Sequence, residues 1–224
     1  MTILTEAARS RSLAVRAPAD RPSERRSLSV ASSLATVRAS ATFEVRDVAE
    51  GDGFLDFDGY ASVTGTGYEM WDAFGPYMEQ VTPGAFAASL ARADLDVPFV
   101  LGHDSLRRLA RTTNGTLTLA EDDHGLRVLA RMDAADQDVA YIAPKLRSGL
   151  IDEMSFRFRI DSGTWSPDWT AYAIDVADIH RGDVAIVGYG ANPATAGSGL
   201  RAATKPLAVV TIGADELQPR TARR

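Results

Sequence analysis

The sequence predicts a mostly β fold with a few helices, of the α+β class, and three patterns predict it. Polar and apolar residues alternate from Phe54 to Val63. Two more alternating runs, Thr116 to Leu119 and Leu126 to Met132, flank an acidic turn at Glu121 to Gly125 and read as a hairpin. From Met154 to Ile160 the order Met, Ser, Phe, Arg, Phe, Arg, Ile sets Phe156, Phe158 and Ile160 on one face and Ser155, Arg157 and Arg159 on the other.

The remaining elements follow in order. An apolar pattern begins at Phe43, Val45 and Val48, which sets a domain boundary near residue 41. Thr64 to Gly67 is a Gly- and Thr-rich loop. Thr82 followed by Pro83 predicts a helix start, because Thr accepts from an orphan amide and Pro holds the torsion of the first turn; Phe86 and Leu90 would form its buried face. Pro98 to Leu101 is a short buried strand ending at Gly102 and His103. Val139, Ile142, Ala143, Leu146 and Leu150 recur at helical spacing with acids ahead and Lys145 and Arg147 near the end, and Gly149 closes the helix. Pro144 predicts a kink or two short pieces there. Tyr172 to Val176 and Asp183 to Val187 read as two further strands, with Asn192 and Pro193 as the turn that follows.

Composition narrows the chemistry. The chain carries no cysteine, which removes disulfides, thiolate nucleophiles and cysteine-bound zinc. Its three histidines, at 103, 124 and 180, lie in separate segments without metal-ligand spacing, and the glycines at 51, 53, 65 and 67 lack the Lys-Ser/Thr ending of a phosphate loop. No metal and no cofactor is expected. No apolar run approaches the roughly 20 residues of a membrane-spanning helix. The formal charge of -6 is uneven: residues 1–40 hold seven arginines against three acids, so a basic leader precedes an acidic body. The expected organisation is a flexible basic leader over 1–41, a folded domain over 42–196 and a partly disordered C-terminal extension over 197–224. Scattered arginines with no aromatic residue to stack on bases argue against a nucleic-acid arm.

His103 follows a buried strand beside Gly102 and Asp104 and suits a general base, although a structural histidine would look the same. Ser155 starts an amphipathic strand without a glycine-flanked nucleophile elbow, so spacing alone does not separate a nucleophile from an ordinary strand serine. His124 fits a solvated turn.

The order of the segments adds what spacing does not. Gly59-Tyr60-Ala61, Val81-Thr82-Pro83-Gly84-Ala85-Phe86 with Ser89-Leu90, Gly102-His103-Asp104, Arg111-Thr112 and Gly115-Thr116-Leu117 come first. Glu121-Asp122-Asp123 with Gly125-Leu126, Gly149-Leu150 before Met154-Ser155-Phe156, and Asp183-Val184 leading to Ala191-Asn192-Pro193 follow. Taken in this order, over about residues 43–196, they resemble the prohead serine proteases of tailed phages. The resemblance implies a closed, mostly antiparallel β-barrel surrounded by helices, like that of the herpesvirus assemblin proteases. It implies His103 as base, Ser155 as nucleophile and Asp183 as the third member, with His180 the rival for that place. It further implies action in the host cytoplasm, inside the assembling prohead, on a major capsid protein precursor or scaffold and on the chain itself, with a homo-oligomer as a possible state. Arg157 stands where relatives carry a small residue: it would crowd the cleft, pair with substrate carboxylates, help hold the oxyanion, or simply be solvated. Ala110 replaces a glycine usual before the Arg-Thr pair. The alternative reading is a scaffolding or capsid-interaction module that keeps the fold without turnover.

Overall fold

The structure is a computed structural model that describes residues 2–25, 53–190 and 199–200. The strands form two sheets. In the first, β1 (Phe54–Val63), β7 (Gly125–Asp133), β6 (Leu117–Glu121) and the two-residue β10 (Gly199–Leu200) run antiparallel in the order β10-β1-β7-β6. In the second the order is β2-β3-β9-β4-β5, built from β2 (Tyr68–Asp72), β3 (Gly75–Val81), β9 (Ala171–Val187), β4 (Pro98–Leu101) and β5 (Arg108–Arg111). β8 (Glu153–Trp165) lies antiparallel along the other edge of β9. The 17-residue β9 organises this sheet, pairing with β3 over its first half and β4 over its second, both in parallel.

The expected closed antiparallel barrel is not confirmed. Among the described residues the ladders stay in two sheets that do not close on each other, and two pairings are parallel. The mostly β, α+β class holds. The two sheets meet through one apolar core in which Phe57 of β1 and Phe99 of β4 bring their rings to 4.9 Å, both fully buried. Alternation along β7 (Leu126, Val128, Ala130 and Met132 buried) aims one face of the first sheet into that core, as the period of two requires.

Three local expectations are corrected. The helix after Pro83 is the short α2 (Ala87–Leu90), and Thr82 does not cap it: its hydroxyl donates to the Ile174 carbonyl. The orphan amides of Gly84 and Phe86 are instead taken by the two carboxylate oxygens of Glu121, at 2.8 and 3.1 Å. α3 (Gln137–Arg147) is one helix in spite of Pro144, which sits in its last turn where little helix remains to displace. Asp136 caps it and Gly149, with φ 68°, ends it in the left-handed conformation. Finally, the two strands expected at 172–176 and 183–187 are the two halves of β9, separated by a bulge.

The leader also departs from expectation. Residues 2–25 contain α1 (Ile3–Ala14), docked on β3, with Ala7, Ala8 and Arg11 facing inward. Ala7 meets Gly75 so closely that a Cβ there would lie 2.9 Å from it. Arg11 is completely buried: it forks onto Asp72 at 2.7 and 3.0 Å, donates to the carbonyls of Trp169, Gly75 and Pro76, and lies against the rings of Trp165 and Tyr77, which touch each other. The chain then follows β8, with the Trp165 amide donating to Pro18, and Arg25 forks onto buried Glu79, which also accepts from Tyr68 and Tyr77. Burial and that carboxylate push both phenols well above their ordinary value. The 26–52 and 201–224 segments, including the expected C-terminal extension beyond 200, and the Asn192-Pro193 turn lie outside the described residues.

Candidate active site

The site forms where β4, β9 and β8 lie side by side. β9 registers Ala185 against Ser155 and Asp183 against Arg157 on β8, and Ala185 against Val100 on β4. Partners in register share a face, and alternate residues along a strand share it too. Ser155, Arg157, Asp183, Ala185 and Val100 therefore occupy one face, opposite to the one that Val184 and Ile186 bury in the main core. Val100, Ala185 and Val187 make a small separate apolar cluster on the site's side, so the strands beneath it are packed on both faces.

His103 reaches this face through a sharp turn. The Gly102 amide still donates to Ile186 and extends the β4–β9 ladder, after which Gly102 and His103 are both left-handed, at φ 58° and 60°. Asp104 closes the turn with its amide on Leu101 and a carboxylate oxygen on the Leu106 amide. A non-glycine residue held at positive φ costs of order 1 kcal/mol and persists where its surroundings fix it. What fixes it here is Asp183, whose Oδ1 lies 2.6 Å from His103 Nδ1. A carboxylate only accepts, so Nδ1 carries the proton, and in the neutral ring Nε2 is left as the acceptor.

Asp183 is itself set by the bulge in β9. Between the Arg157–Asp183 and Arg159–Asp178 pairs, β8 has one residue where β9 has four. Ser89 of α2 holds the near side, donating to Asp178 and accepting from the Ile179 amide. Asp96 holds the far side: its carbonyl accepts from the Arg181 amide, its own amide donates to His180 Nδ1, and its carboxylate pairs with Arg111. Thr112 braces the same segment through Val97 and Leu95. Gly182 is required because a Cβ there would lie 1.8 Å from the Arg157 carbonyl oxygen. The Ser-Leu and Arg-Thr motifs of the sequence thus hold the bulge from which Asp183 projects.

The predicted residues fall as follows. His103 and Asp183 are in contact. Ser155 is half-buried on the same face, roughly 7–8 Å from Asp183 by the diagonal spacing of an antiparallel pair, and its hydroxyl makes no hydrogen bond among the described residues. His180 does not touch His103, since its ring is tied to the Asp96 amide. His124 sits in the β6–β7 turn, edge-on to Tyr60 at 4.4 Å. Arg157, expected among other options to be merely solvated, donates to the His103 carbonyl at 3.0 Å and lies 3.6 Å from the free oxygen of Asp183. Sequence reasoning missed this brace because it depends on a turn from another strand. One rung beyond Ser155, burial pushes the Glu153 carboxyl above its ordinary value against the opposing effect of the Gly190 amide, which donates to it at 2.6 Å.

A buried acid that orients an imidazole, with a serine on the same face, can carry out nucleophilic acyl transfer. No curated protein matches the chain. A protein-family model described as caudovirus prohead serine protease matches residues 41–205, well over half of the chain. The chain belongs to the caudovirus prohead serine protease family.

Proposed function

We propose that the protein is the capsid-maturation endopeptidase of a tailed phage, with Ser155 as nucleophile, His103 as general base and Asp183 as the residue that orients the base. The single observation that carries this reading is the 2.6 Å contact between His103 Nδ1 and Asp183 on the face that presents Ser155. Nε2 would take the Ser155 proton as Oγ attacks the scissile carbonyl, and Asp183 would stabilise the imidazolium that results. The imidazolium then gives its proton to the leaving amine, and water, activated by the same nitrogen, releases the acyl group. Arg157 contributes by gripping both the His103 carbonyl and Asp183, which fixes the turn against the bulge. His180 is not needed in this scheme.

The substrates proposed are the major capsid protein precursor or scaffold inside the assembling prohead, in the host cytoplasm, and the chain itself. No helix among the described residues is long and apolar enough to cross a membrane. In a test, wild type incubated with its capsid precursor cuts it, whereas Ser155→Ala leaves it intact; a precursor cut equally by both proteins removes Ser155 from the mechanism. The free Ser155 hydroxyl favours a second reading, a non-cleaving scaffolding module of the same fold. Under it the wild type co-assembles with capsid subunits and leaves them whole. Hydrogen bonds between nucleophile and base often tighten only in the substrate complex, which is why the protease reading is preferred.

A further inference from the structure

Next to Asp183, on the side away from Ser155, a cleft of about 480 Å³ opens between β8, the β9 bulge and β5. Five arginines line it, from three separate segments of the chain, together with three aspartates. Each aspartate already has a partner. Asp96 pairs with Arg111, Asp178 with Arg159, and Asp183 with His103 and, more loosely, Arg157. Arg108 and Arg181 have no carboxylate partner among the described residues: Arg108 donates only to the Ser105 carbonyl, and Arg181 is anchored by its backbone amide alone. Both are exposed, and Arg181 is held at φ 58°, a left-handed conformation enforced by the bulge. Two guanidiniums with no carboxylate bonded to them thus line a cleft whose wall includes the orienting acid of the site.

From these observations we infer that the cleft is a specificity subsite for an acidic side chain, Glu or Asp, of the polypeptide being cut; the inference rests on the proteolytic reading above. The position follows from strand geometry. Arg157 and Arg159 lie two and four residues along β8 from Ser155, and an extended substrate advances about 3.3 Å per residue, so the acid lies roughly two to four residues from the scissile bond. Arginine presents a planar fork of donors that matches a carboxylate, and a charge-assisted pair there discriminates Glu from Gln by about tenfold or more. A nucleic-acid phosphate fits less well, since the pocket is bounded by aspartates and belongs to the acidic part of the chain.

The test is a proteome-derived peptide library digested by the full-length protein, with cut sites read by mass spectrometry, followed by matched Glu and Gln peptides of the best sequence. Wild type is expected to enrich Glu or Asp at one position two to four residues from the cut and to show a kcat/KM ratio for Glu over Gln of about tenfold or more, shrinking as salt rises. The Arg108→Gln/Arg181→Gln double variant is expected to bring that ratio close to one, and Arg181→Glu to shift the preference toward Lys at the same position. Cuts with no acid enrichment, or a ratio that the double variant leaves unchanged, overturn the inference while leaving the protease reading standing. Binding of a single-stranded oligonucleotide that is lost in the double variant, with no Glu preference in cleavage, also overturns it. If wild type cuts neither the library nor its capsid precursor, the proteolytic reading fails and this inference falls with it.

Discussion

Two short contacts, each to a buried aspartate on a strand of the second sheet, show how one kind of interaction serves different ends. Arg11 and Asp72 are both essentially inaccessible, and the guanidinium donates to a carboxylate and three carbonyls while lying against two rings. Neither partner reaches solvent, so the contact serves to hold α1 to the body. His103 and Asp183 meet at a similar distance, but His103 keeps a fifth of its side chain exposed and leaves Nε2 unengaged among the described residues. One pair is closed and structural, whereas the other is held from behind and open in front. The difference is set by the backbone. The first pair joins a regular helix to a strand end, and the second joins a left-handed turn to a bulge of the second sheet.

The largest effect expected from breaking this comparison is on the open pair. Asp183→Asn offers Nδ1 a group that can donate as well as accept, so the imidazole is no longer held in the productive tautomer. Turnover of the capsid precursor is expected to fall by about 10³–10⁴-fold while the urea midpoint changes little. A midpoint that collapses in parallel with activity would mean that Asp183 is a structural acid like Asp72. Breaking the closed pair should do the reverse. Arg11→Met leaves Asp72 buried without its cation and is expected to cost about 3–5 kcal/mol in urea unfolding, with much of this recovered in Arg11→Met/Asp72→Leu. Activity per folded molecule is expected to stay near that of wild type.

How much of this was legible in the sequence depended on the range of the interactions involved. β1, the β6–β7 hairpin and β8 were readable because alternation along a strand records which face is buried. The strand carrying Asp183 was read as two, because Asp178, Arg181 and Gly182 are the residues of a turn; here they make a bulge that keeps β9 continuous past β8. Thr82 and Pro83 have the chemistry of a helix cap, but the carboxylate that caps the segment comes from Glu121, 35 to 37 residues away. α1 carries no strong apolar stripe, and a single buried arginine anchors it, which no propensity reveals. His103, Ser155 and Asp183 were picked out through the order of weak motifs, and none of the three had a local signal sufficient by itself. The arginine-lined cleft had none either, since its cations come together only when β5, β8 and the bulge do.

A smaller effect sharpens the comparison at the bulge. Arg181→Gly removes the left-handed strain at φ 58° and is expected to stabilise the protein by up to about 1 kcal/mol. Urea unfolding checks it, and a loss of stability would show that the arginine side chain holds the bulge.

The most direct test of the central claim is labelling by a fluorophosphonate, with the modified residue located by mass spectrometry. The account predicts an adduct on Ser155 in wild type, formed far more slowly in His103→Ala. It would be contradicted by a wild type that cuts its precursor yet carries no adduct on Ser155, or by labelling of Ser155 at an equal rate with and without the His103 imidazole.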